Sequence, residues 1–412
     1  MQLVEKHIID RHHWLYKHLD NLCFLSKNLF NYANYLIRQK FIRAGEYINY
    51  YKVQKLCQGT TDYKALPAKV SQQVLLRLHE SWKSFFAATR EYSKYPEKFK
   101  ARPKLPGYKH KTNGRNVLTY TAQAISQKCL EQGIIHLANT NIFLTTKVQQ
   151  VNQVRIVPKT YHYAIEVVYN QEPVSQSESS VGGIAGIDIG VNNLATITCN
   201  FQSVKPLIIN GKPLKSINAY YHKKKAVLQS QLKGEAKTSK RIQKLTHKRN
   251  RLIDNYLHNA ARFIVNHLVA NRIGTLVIGK NDEWKQGINL GKRNNQNFVF
   301  IPHNRFIQML TYKAELAGIT VKFIEESYTS KCSFLDNEPI CKHSQYRGKR
   351  IKRGLFRASD GRLINADVNG SANIVRKAFP NAFAEGIQGV VVRPVRITPY
   401  KTVVSGKLHI CL

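Results

Sequence analysis

Residues 183–200 read GIAGIDIGVNNLATITCN, and the second half of the chain is organised around them. Two apolar runs flank a turn at residues 190–193, and short apolar runs bounded by Gly and Asn are typical of β-strands. The stretch therefore predicts a β-hairpin. Asp188 lies inside the first run, where a charge is costly unless a partner compensates it. A divalent metal ion would do so; the alternative is an Asp that stabilises the turn through its own hydrogen bonds.

The composition of the chain is strongly basic. Its 412 residues include Lys+Arg 64 against Asp+Glu 25, which gives a formal net charge of +39. A compact chain with this charge repels itself, so a polyanionic partner is expected, and nucleic acid is the first expectation. A basic protein of the membrane surface is the alternative, but no apolar run is long enough to span a bilayer.

The seven cysteines are scattered along the chain and never form a CxxC pair. Their odd number and spacing argue against a disulfide framework and favour a reducing compartment. Residues 1–10 also lack the charged and then apolar pattern of a signal peptide. We therefore expect a cytoplasmic protein that associates with the nucleoid.

The first half of the chain predicts a helical lobe and a β-rich domain. Apolar residues recur at helical spacing over residues 14–42 and about 69–90, which indicates two long helices. Short runs over residues 117–169 favour strands of a small β-barrel or sandwich. The predicted boundaries are residues 11–92 for the helical lobe, residues 1–10 and 93–170 for the β-barrel, and residues 171–182 for a polar linker.

Residues 92–115 are dense in Lys and Arg, with Pro, Tyr and Phe between them. Proline prevents a continuous helix, and cations that alternate with aromatic rings suit phosphate contacts and base stacking. A solvated loop is the alternative. The candidate nucleic-acid contacts in this basic stretch are Lys98, Lys100, Arg102, Lys104, Tyr108, Lys109, Lys111 and Arg115.

The second half of the chain predicts an α/β domain. After the hairpin, the pattern indicates in order two antiparallel helices (218–232 and 239–271), a strand (275–279), a polar loop (281–297), a helix (303–317), a strand (319–324), a closing helix (368–379) and a loosely ordered tail (380–412). Few acids offset the cations of the helix pair, which favours a nucleic-acid-facing surface over a merely solvated one. The candidate contacts there are Lys240, Arg241, Lys244, Lys248 and Arg249.

Acidic residues lie where this order of strands would bring them together. Asp188 lies in the hairpin, Glu325 and Glu326 follow the strand at residues 319–324, and Asp367 lies at a helix start. Carboxylates held together repel each other unless a metal ion neutralises them. Two Mg²⁺ ions about 3.5 to 4 Å apart commonly serve phosphodiester hydrolysis, so the sequence predicts a Mg²⁺ site at this end of the sheet.

Three motifs are similar to those of one family. GIDIGVNNLATI at residues 186–197, YTSKCS at residues 328–333 and INADVNGSANI at residues 364–374 resemble the RuvC-type nuclease core of the transposon-encoded TnpB family, which is related to the type V CRISPR effectors. The resemblance is strong over residues 183–379 and weaker before them. It implies an RNase H-like (RuvC) nuclease domain at residues 183–328 and 362–379, preceded by a wedge-like β-barrel and a helical recognition lobe.

The resemblance also implies a function. Members of the family bind a guide RNA transcribed from the transposon end, recognise a short motif beside the target in double-stranded DNA, and cleave the DNA with Mg²⁺. We therefore expect an RNA-guided DNA endonuclease that acts by two-metal-ion hydrolysis. Two rivals stay open: an RNA-guided DNA-binding repressor without nuclease activity, and an unguided RNase H-fold transposase or resolvase.

Carried over to this chain, the family's first catalytic Asp matches Asp188 and its last matches Asp367. The middle acid departs from the family pattern. Typical members have a Glu after the strand that corresponds to residues 276–278, and this chain has Gly279 there.

The third acid must therefore come from another position. Asp282 and Glu283 follow slightly downstream, in the predicted loop. We expect Glu326, or its neighbour Glu325, to supply the third Mg²⁺ ligand from the adjacent strand end. The alternative is that both glutamates form a surface pair and the nuclease is inactive, because structural acids also cluster near strand ends.

Typical members carry a zinc ribbon with two CxxC pairs, and this chain departs there too. Residues 329–361 keep only Cys332, Cys341 and His343 as plausible ligands. A closed zinc site needs four N or S ligands. A Lys- and Arg-rich hairpin that keeps the outline of the ribbon without metal is therefore favoured over a Zn²⁺ site.

Overall fold

A computed structural model describes residues 1–174, 182–280, 298–384 and 394–399, together with the backbone of residues 401–404 and 407–410. The chain divides into two compact units, Met1–Gln171 and Glu172–Leu412. Most of the predicted linker, the predicted loop with Asp282 and Glu283, and part of the predicted tail lie outside the described residues. Within the described part, no helix has the length and apolar character that crossing a membrane requires.

The first unit combines helices with antiparallel strands. Its helices are α1 (Tyr16–Ala44), α2 (Tyr50–Cys57), α3 (Thr61–Lys64), α4 (Ala68–Lys94) and α5 (Gln127–Glu131). Its strands are β1 (Gln2–Asp10), β2 (Leu118–Thr121), β3 (Ile134–His136), β4 (Phe143–Thr145), β5 (Gln153–Pro158) and β6 (His162–Asn170). The two long helices predicted from apolar spacing are confirmed as α1 and α4.

The strands of this unit form an open sheet. β1, β6, β5 and β2 pair in that order, all antiparallel, and β3 pairs with β4. β2 has 4 residues and its recorded ladder is with β5. The four-strand ladder ends at β1 and β2, so the closed barrel predicted from the sequence is not confirmed.

The basic stretch lies along α1 and is fastened to it through its backbone. Four polar side chains of α1, spaced three or four residues apart and therefore on one side of the helix, donate to carbonyl groups of the stretch. The bonds run from Asn34 and Arg38 to Pro106 (2.9 Å each), from Asn31 to Lys109 (2.8 Å) and from Lys27 to Lys111 (2.7 Å). Because the helix binds the backbone, the charged side chains of residues 98–111 are left exposed.

The second unit is built on a mixed sheet. Its strands are β7 (Gly183–Ile189), β8 (Asn193–Cys199), β9 (Leu207–Asn210), β10 (Ile273–Gly279), β11 (Thr320–Ile324), β12 (Lys349–Lys352), β13 (Leu355–Arg357), β14 (Leu363–Asn365), β15 (Val395–Ile397), β16 (Lys401–Val404) and β17 (Lys407–Ile410). Its helices are α6 (Lys212–Ser230), α7 (Lys240–Ala270), α8 (His303–Leu316) and α9 (Ala366–Ala378). The predicted helix pair is confirmed as α6 and α7.

Six strands form the central sheet, in the order β11-β10-β7-β8-β9-β15. The predicted hairpin is confirmed, because β7 and β8 pair antiparallel with Asp188 opposite Thr196. β9 continues the antiparallel run, whereas β10 is parallel to β7 and β11 is parallel to β10. The carboxyl ends of β7, β10 and β11 therefore lie at one edge of the sheet.

Both faces of the central sheet are covered. Ile187 and Ile189 lie in a core shared with residues of α7 and α8, such as Leu257 and Phe306. Alternate residues of a strand point to opposite faces, so Asp188 points away from this core and toward α9. The helix is held on that face by a hydrogen bond between Ser371 and Thr198 of β8.

The tail is better ordered than the sequence predicted. β15 pairs parallel with the edge strand β9, and Ile397 is buried in the core of the unit. The prediction of a loosely ordered tail is therefore wrong for residues 395–397. An edge strand offers unpaired backbone groups to any extended segment, and a 3-residue strand has no periodicity by which sequence reasoning could find it.

Candidate active site

Asp188 lies against helix α9 at a point where the helix has no side chain. A Cβ atom at Gly370 would lie only 2.8 Å from the Asp188 Oδ2 atom, so any other residue at 370 would push the carboxyl group aside. Part of Asp188 is open to a cavity, and protein atoms surround the rest of its carboxyl group. The glycine within the INADVNGSANI motif thus lets the helix approach the acid closely.

Asp367 lies in the first turn of α9, facing the same cavity as Asp188. Asn365 caps the helix, because its side chain accepts from the backbone N–H groups of Asp367 (3.0 Å) and Val368 (3.2 Å). An acid is favourable at this end of a helix dipole. The cavity, of about 380 Å³, thus receives one carboxyl group from β7 and one from α9.

The carboxylate of Asp367 has two neighbours besides the helix. Asn193, at the start of β8, donates its Nδ2 group to Oδ2 at 2.5 Å. Arg350, on β12, places a guanidinium nitrogen 3.4 Å from Oδ1. Both residues also line the cavity, so Asp367 is oriented from two sides.

Glu326 fills the space above Gly279. Gly279 ends β10 opposite Ile324 of β11, and Glu326 follows two residues later. A Cβ atom at residue 279 would lie 2.6 Å from both Cγ and Oε1 of Glu326. The family pattern has a Glu after the strand that corresponds to β10. In this chain Glu326, which follows β11, occupies the space that a side chain at position 279 would need.

Glu325 points elsewhere. It is exposed, and it lines a separate cavity together with Lys280 and Tyr312. The charge of its neighbour Glu326, by contrast, acts on Asp188. Of the two glutamates weighed from the sequence, Glu326 is the one whose side chain is near the other acids.

The electrostatics of the three acids show that they are close. Burial, followed by the charges of Glu326 and Asp367, raises the pKa of Asp188 to about 8, and Arg350 acts in the opposite direction. Burial raises the pKa of Glu326 to about 7. Near neutral pH, Asp188 therefore retains its proton and Glu326 is only partly ionised unless a cation joins them.

The acids are not gathered into a finished metal site. Over the described ranges, no three His, Cys, Asp or Glu side chains are already arranged to hold a metal ion. Asp367 instead faces Asn193 and Arg350. The donor set still fits a hard divalent ion, because it consists of carboxyl groups, and burial disfavours the ionisation of Asp188 and Glu326 when no cation is near.

Two family models match this chain. The OrfB_IS605 model, described as a probable transposase, matches residues 162–285, and the model of the Cas12f1-like TNB domain matches residues 303–374. The TnpB-like protein ORF457 of Acidianus two-tailed virus is 23% identical over 429 residues, which cover 92% of this chain and 85% of that protein. The chain is therefore similar to a TnpB-like protein along most of its length. Asp188 lies in the region matched by the first model, and Glu326 and Asp367 lie in the region matched by the second.

Other similar proteins are CRISPR-associated endonucleases. The CRISPR-associated endodeoxyribonuclease Cas12f2 of Micrarchaeota archaeon (strain CG1_02_47_40) is 29% identical over 239 residues, 54% of this chain and 41% of that protein. Among solved structures, the Cas12f1–sgRNA–target DNA complex matches with a TM-score of 0.39 and 15% identity, covering 92% of this chain and 100% of that one. The mini-RNA-guided endonuclease CRISPR-Cas_phi3 matches with a TM-score of 0.43 and 10% identity, covering 96% and 94%.

The candidate nucleic-acid contacts in the first unit differ in their surroundings. The seven from Lys98 to Lys111 are exposed. Arg115 is instead half-buried and bonded to both carboxylate oxygens of Asp20, at 2.9 and 2.7 Å, with Tyr163 donating to the same carboxylate at 2.7 Å. Arg115 thus ties the basic stretch to the fold.

The candidate contacts on α7 also consist of exposed residues and one half-buried arginine. Lys240, Arg241, Lys244 and Lys248 are exposed. Arg249 is half-buried, and its guanidinium donates to the Asn218 side chain at 2.8 Å and to the Phe300 carbonyl at 2.7 Å. Arg249 therefore joins α6 and α7 to the segment before α8.

The three potential zinc ligands do not converge in this structure. The Cys332 thiol is buried and donates to the Cys341 carbonyl at 3.6 Å, whereas the exposed Cys341 thiol lies 3.4 Å from Nε2 of His343. The buried Glu338 holds this insertion together, because its carboxylate accepts from the backbone N–H groups of Ser333 (2.7 Å) and Arg347 (2.8 Å). A carboxylate thus links parts of the insertion that a metal ion would otherwise link.

Sequence reasoning missed several residues of the cavity wall. Asn193 was assigned only to a turn, and Arg396 only to the tail, yet both line the cavity with Asp188 and Asp367. The position of Asn193, at the end of a turn five residues after a buried acid, was the available signal. No sequence signal marked Arg396, whose strand pairs with a distant part of the chain.

Proposed function

We propose that this chain is an RNA-guided DNA endonuclease of a transposable element, which cleaves target DNA beside a short flanking motif. The observation that carries the proposal is that Asp188 and Asp367 line one cavity edged by cations, and that the charge of Glu326 acts on Asp188. Similarity to a TnpB-like protein and to a CRISPR-associated endodeoxyribonuclease supports the proposal.

The order of the central sheet supports an RNase H-like, RuvC-type assignment for the second unit. Three antiparallel strands, β7 to β9, are followed by two parallel strands, β10 and β11, on the other side of β7. The acids then come from the first strand, from the end of β11 and from the helix that covers the sheet. We expect the first unit to hold RNA and duplex DNA.

Mg²⁺ is the ion we propose for Asp188, Glu326 and Asp367, because it prefers carboxylate oxygens. The raised pKa of Asp188 fits this proposal, since a divalent cation among three acids would remove the repulsion that favours protonation. When bound, a pair of such ions would activate a water molecule and stabilise the leaving oxygen of a phosphodiester.

The residues around the acids complete the proposed centre. Lys212, Arg350, Arg353 and Arg396 line the cavity and would hold the phosphates of a DNA strand beside the carboxylates. Asn193 orients Asp367 by donating to its Oδ2 atom. The exposed cations of the basic stretch and of α7 would contact the nucleic-acid backbone, while base pairing with the guide reads the sequence.

One observation favours the repressor as a second candidate. The described residues hold no preassembled trio of metal ligands, and Arg350 lies beside Asp367. A chain that bound RNA and DNA but could not gather its acids would block a target without cutting it.

The test is to purify the full chain, sequence the RNA that copurifies, and offer duplex DNA matched to that RNA with Mg²⁺. Cleavage of matched but not unmatched DNA supports the proposal. Matched DNA that is bound but left intact points to the repressor, and a preparation that cuts DNA without RNA points to the unguided transposase or resolvase.

A further inference from the structure

The C-terminal strand β15 brings a cation to the candidate active site. Its backbone pairs with β9, and Val395 donates to the Pro206 carbonyl at 2.8 Å. Asn210 at the end of β9 donates to the Thr398 hydroxyl at 3.0 Å, and Ile397 is buried. The strand is thus anchored on both sides of Arg396.

Arg396 reaches the acids through one intermediate residue. Its guanidinium donates to the Asn193 Oδ1 atom at 2.9 Å, and the Asn193 Nδ2 group donates to Oδ2 of Asp367 at 2.5 Å. A guanidinium only donates and an ionised carboxylate only accepts, so the two partners permit just one orientation of the amide. The chain of hydrogen bonds therefore has a fixed direction from β15 to α9.

We propose that Arg396 is a positioning residue, which acts through Asn193 to hold the Asp367 carboxylate toward Asp188. This inference rests on the proposed function, since it concerns the same acids. Without Arg396, the Asn193 amide is held from one side only, by the Asp367 carboxylate, and its terminal torsion is less restricted. The C-terminal strand then completes the centre instead of merely covering a sheet edge.

The geometry separates this role from a general effect of charge. Arg350, Arg353 and Lys212 also line the cavity, so a purely electrostatic role for Arg396 would be shared with three other cations. A positioning role requires Asn193, whereas a direct contact with DNA does not. Partners in the layer behind metal ligands typically change metal affinity or activity about 10- to 100-fold when removed.

The test uses the full chain with its copurified RNA, in five variants: Arg396→Ala, Arg396→Lys, Asn193→Ala, the double variant of Arg396→Ala with Asn193→Ala, and Val395→Ala. Mg²⁺ affinity is measured by calorimetry without DNA, and single-turnover cleavage is measured against Mg²⁺ and DNA concentration. Val395→Ala is the matched control, because it shortens an exposed side chain of the same strand and keeps the backbone pairing with β9. Thermal melts check that each variant is folded.

The proposal predicts about 10-fold weaker Mg²⁺ binding for Arg396→Ala and for Asn193→Ala, and no further loss in the double variant. Val395→Ala behaves as the unaltered chain, and Arg396→Lys restores only part of the affinity because it lacks the planar guanidinium. Three results would overturn the inference: additive losses of Mg²⁺ affinity in the double variant, an effect of Arg396→Ala only on how cleavage depends on DNA concentration, or an unchanged Mg²⁺ affinity in Arg396→Ala. Cleavage by the unaltered chain would still uphold the proposed function. An unaltered chain that neither binds Mg²⁺ nor cuts would overturn both.

Discussion

Glu326 occupies the space that a side chain at position 279 would need. Its Cγ and Oε1 atoms lie 2.6 Å from the place of a Cβ atom at Gly279, so the glycine and the glutamate form a matched pair. Neighbouring strands of a sheet are about 4.8 Å apart, which is a distance that a Glu side chain spans. An acid can therefore reach Asp188 from either strand end.

Replacement of Glu326 by Ala should reduce the cleavage rate by more than about 100-fold. Loss of a proposed metal ligand should reduce activity more than loss of a residue that only orients a ligand. Glu325→Ala is the control: it removes the same charge one residue away, from a side chain that faces another cavity. Single-turnover cleavage of matched DNA measures both. Loss of cleavage in Glu325→Ala or Glu283→Ala, with Glu326→Ala active, would contradict the assignment.

The raised pKa of Asp188 makes a prediction about pH. Its pKa is about 8 in the folded chain against an ordinary 3.8, so over that range the folded state binds more protons than the unfolded state. Stability without metal therefore falls as pH rises through this window. Melting temperatures in chelator should decrease from about pH 6 to about pH 9, with a shallower slope in Asp188→Asn. A slope unchanged by that substitution would show that Asp188 is not the group responsible.

Single residues were predictable from sequence only where a motif marked them. Asp188 and Asp367 lie in motifs, and the structure brings both to one cavity. Asn193 and Arg396 are ordinary polar residues, and their role depends on a strand pairing between residues 395–397 and 207–209. Such a long-range contact leaves no local pattern.

Elements with a strong apolar period were predicted well. α1, α4, α6 and α7 are long and amphipathic, and the β7–β8 hairpin is bounded by Gly and Asn. Short strands were predicted less well. The sequence did not indicate β15, and the strands of the first unit, for which a β-barrel was predicted, form an open sheet. Pairing of short strands depends on which partners are near in the folded chain rather than on their own sequence.

The insertion between β11 and β14 offers a test of what holds it together. Glu338→Ala removes a buried carboxylate that accepts two backbone N–H groups, and should cost about 2 to 4 kcal/mol of unfolding free energy. Cys341→Ala is the control, because that thiol is exposed, and it should stay within about 0.5 kcal/mol. Urea unfolding measures both. A larger loss in Cys341→Ala, together with zinc in the purified chain, would favour a metal site instead.

The charge of the whole chain, +39, requires a polyanionic partner, and the exposed cations lie on two separate features, the basic stretch and α7. The half-buried Arg115 and Arg249 are engaged within the fold. Net charge therefore overstates the cations available to nucleic acid.

Salt dependence measures how many of these cations contact phosphates. Replacing Arg241, Lys244 and Lys248 by Ala should reduce the slope of log affinity against log salt by about 2 to 3, since each phosphate contact contributes about 0.7 to 0.9. Lys83→Ala is the control, because Lys83 pairs with Glu80 on α4. An unchanged slope in the triple variant would remove α7 from the binding surface.

The central claim is that acids from three separated segments form one nuclease centre. The most direct measurement is cleavage of duplex DNA matched to the copurified RNA, at saturating Mg²⁺, by the unaltered chain and by Asp188→Ala, Glu326→Ala and Asp367→Ala. We predict that the unaltered chain cuts and that each variant binds the target without cutting it. An unaltered chain that binds RNA and target yet leaves the DNA intact, or single variants that all cut at the unaltered rate, would contradict the claim.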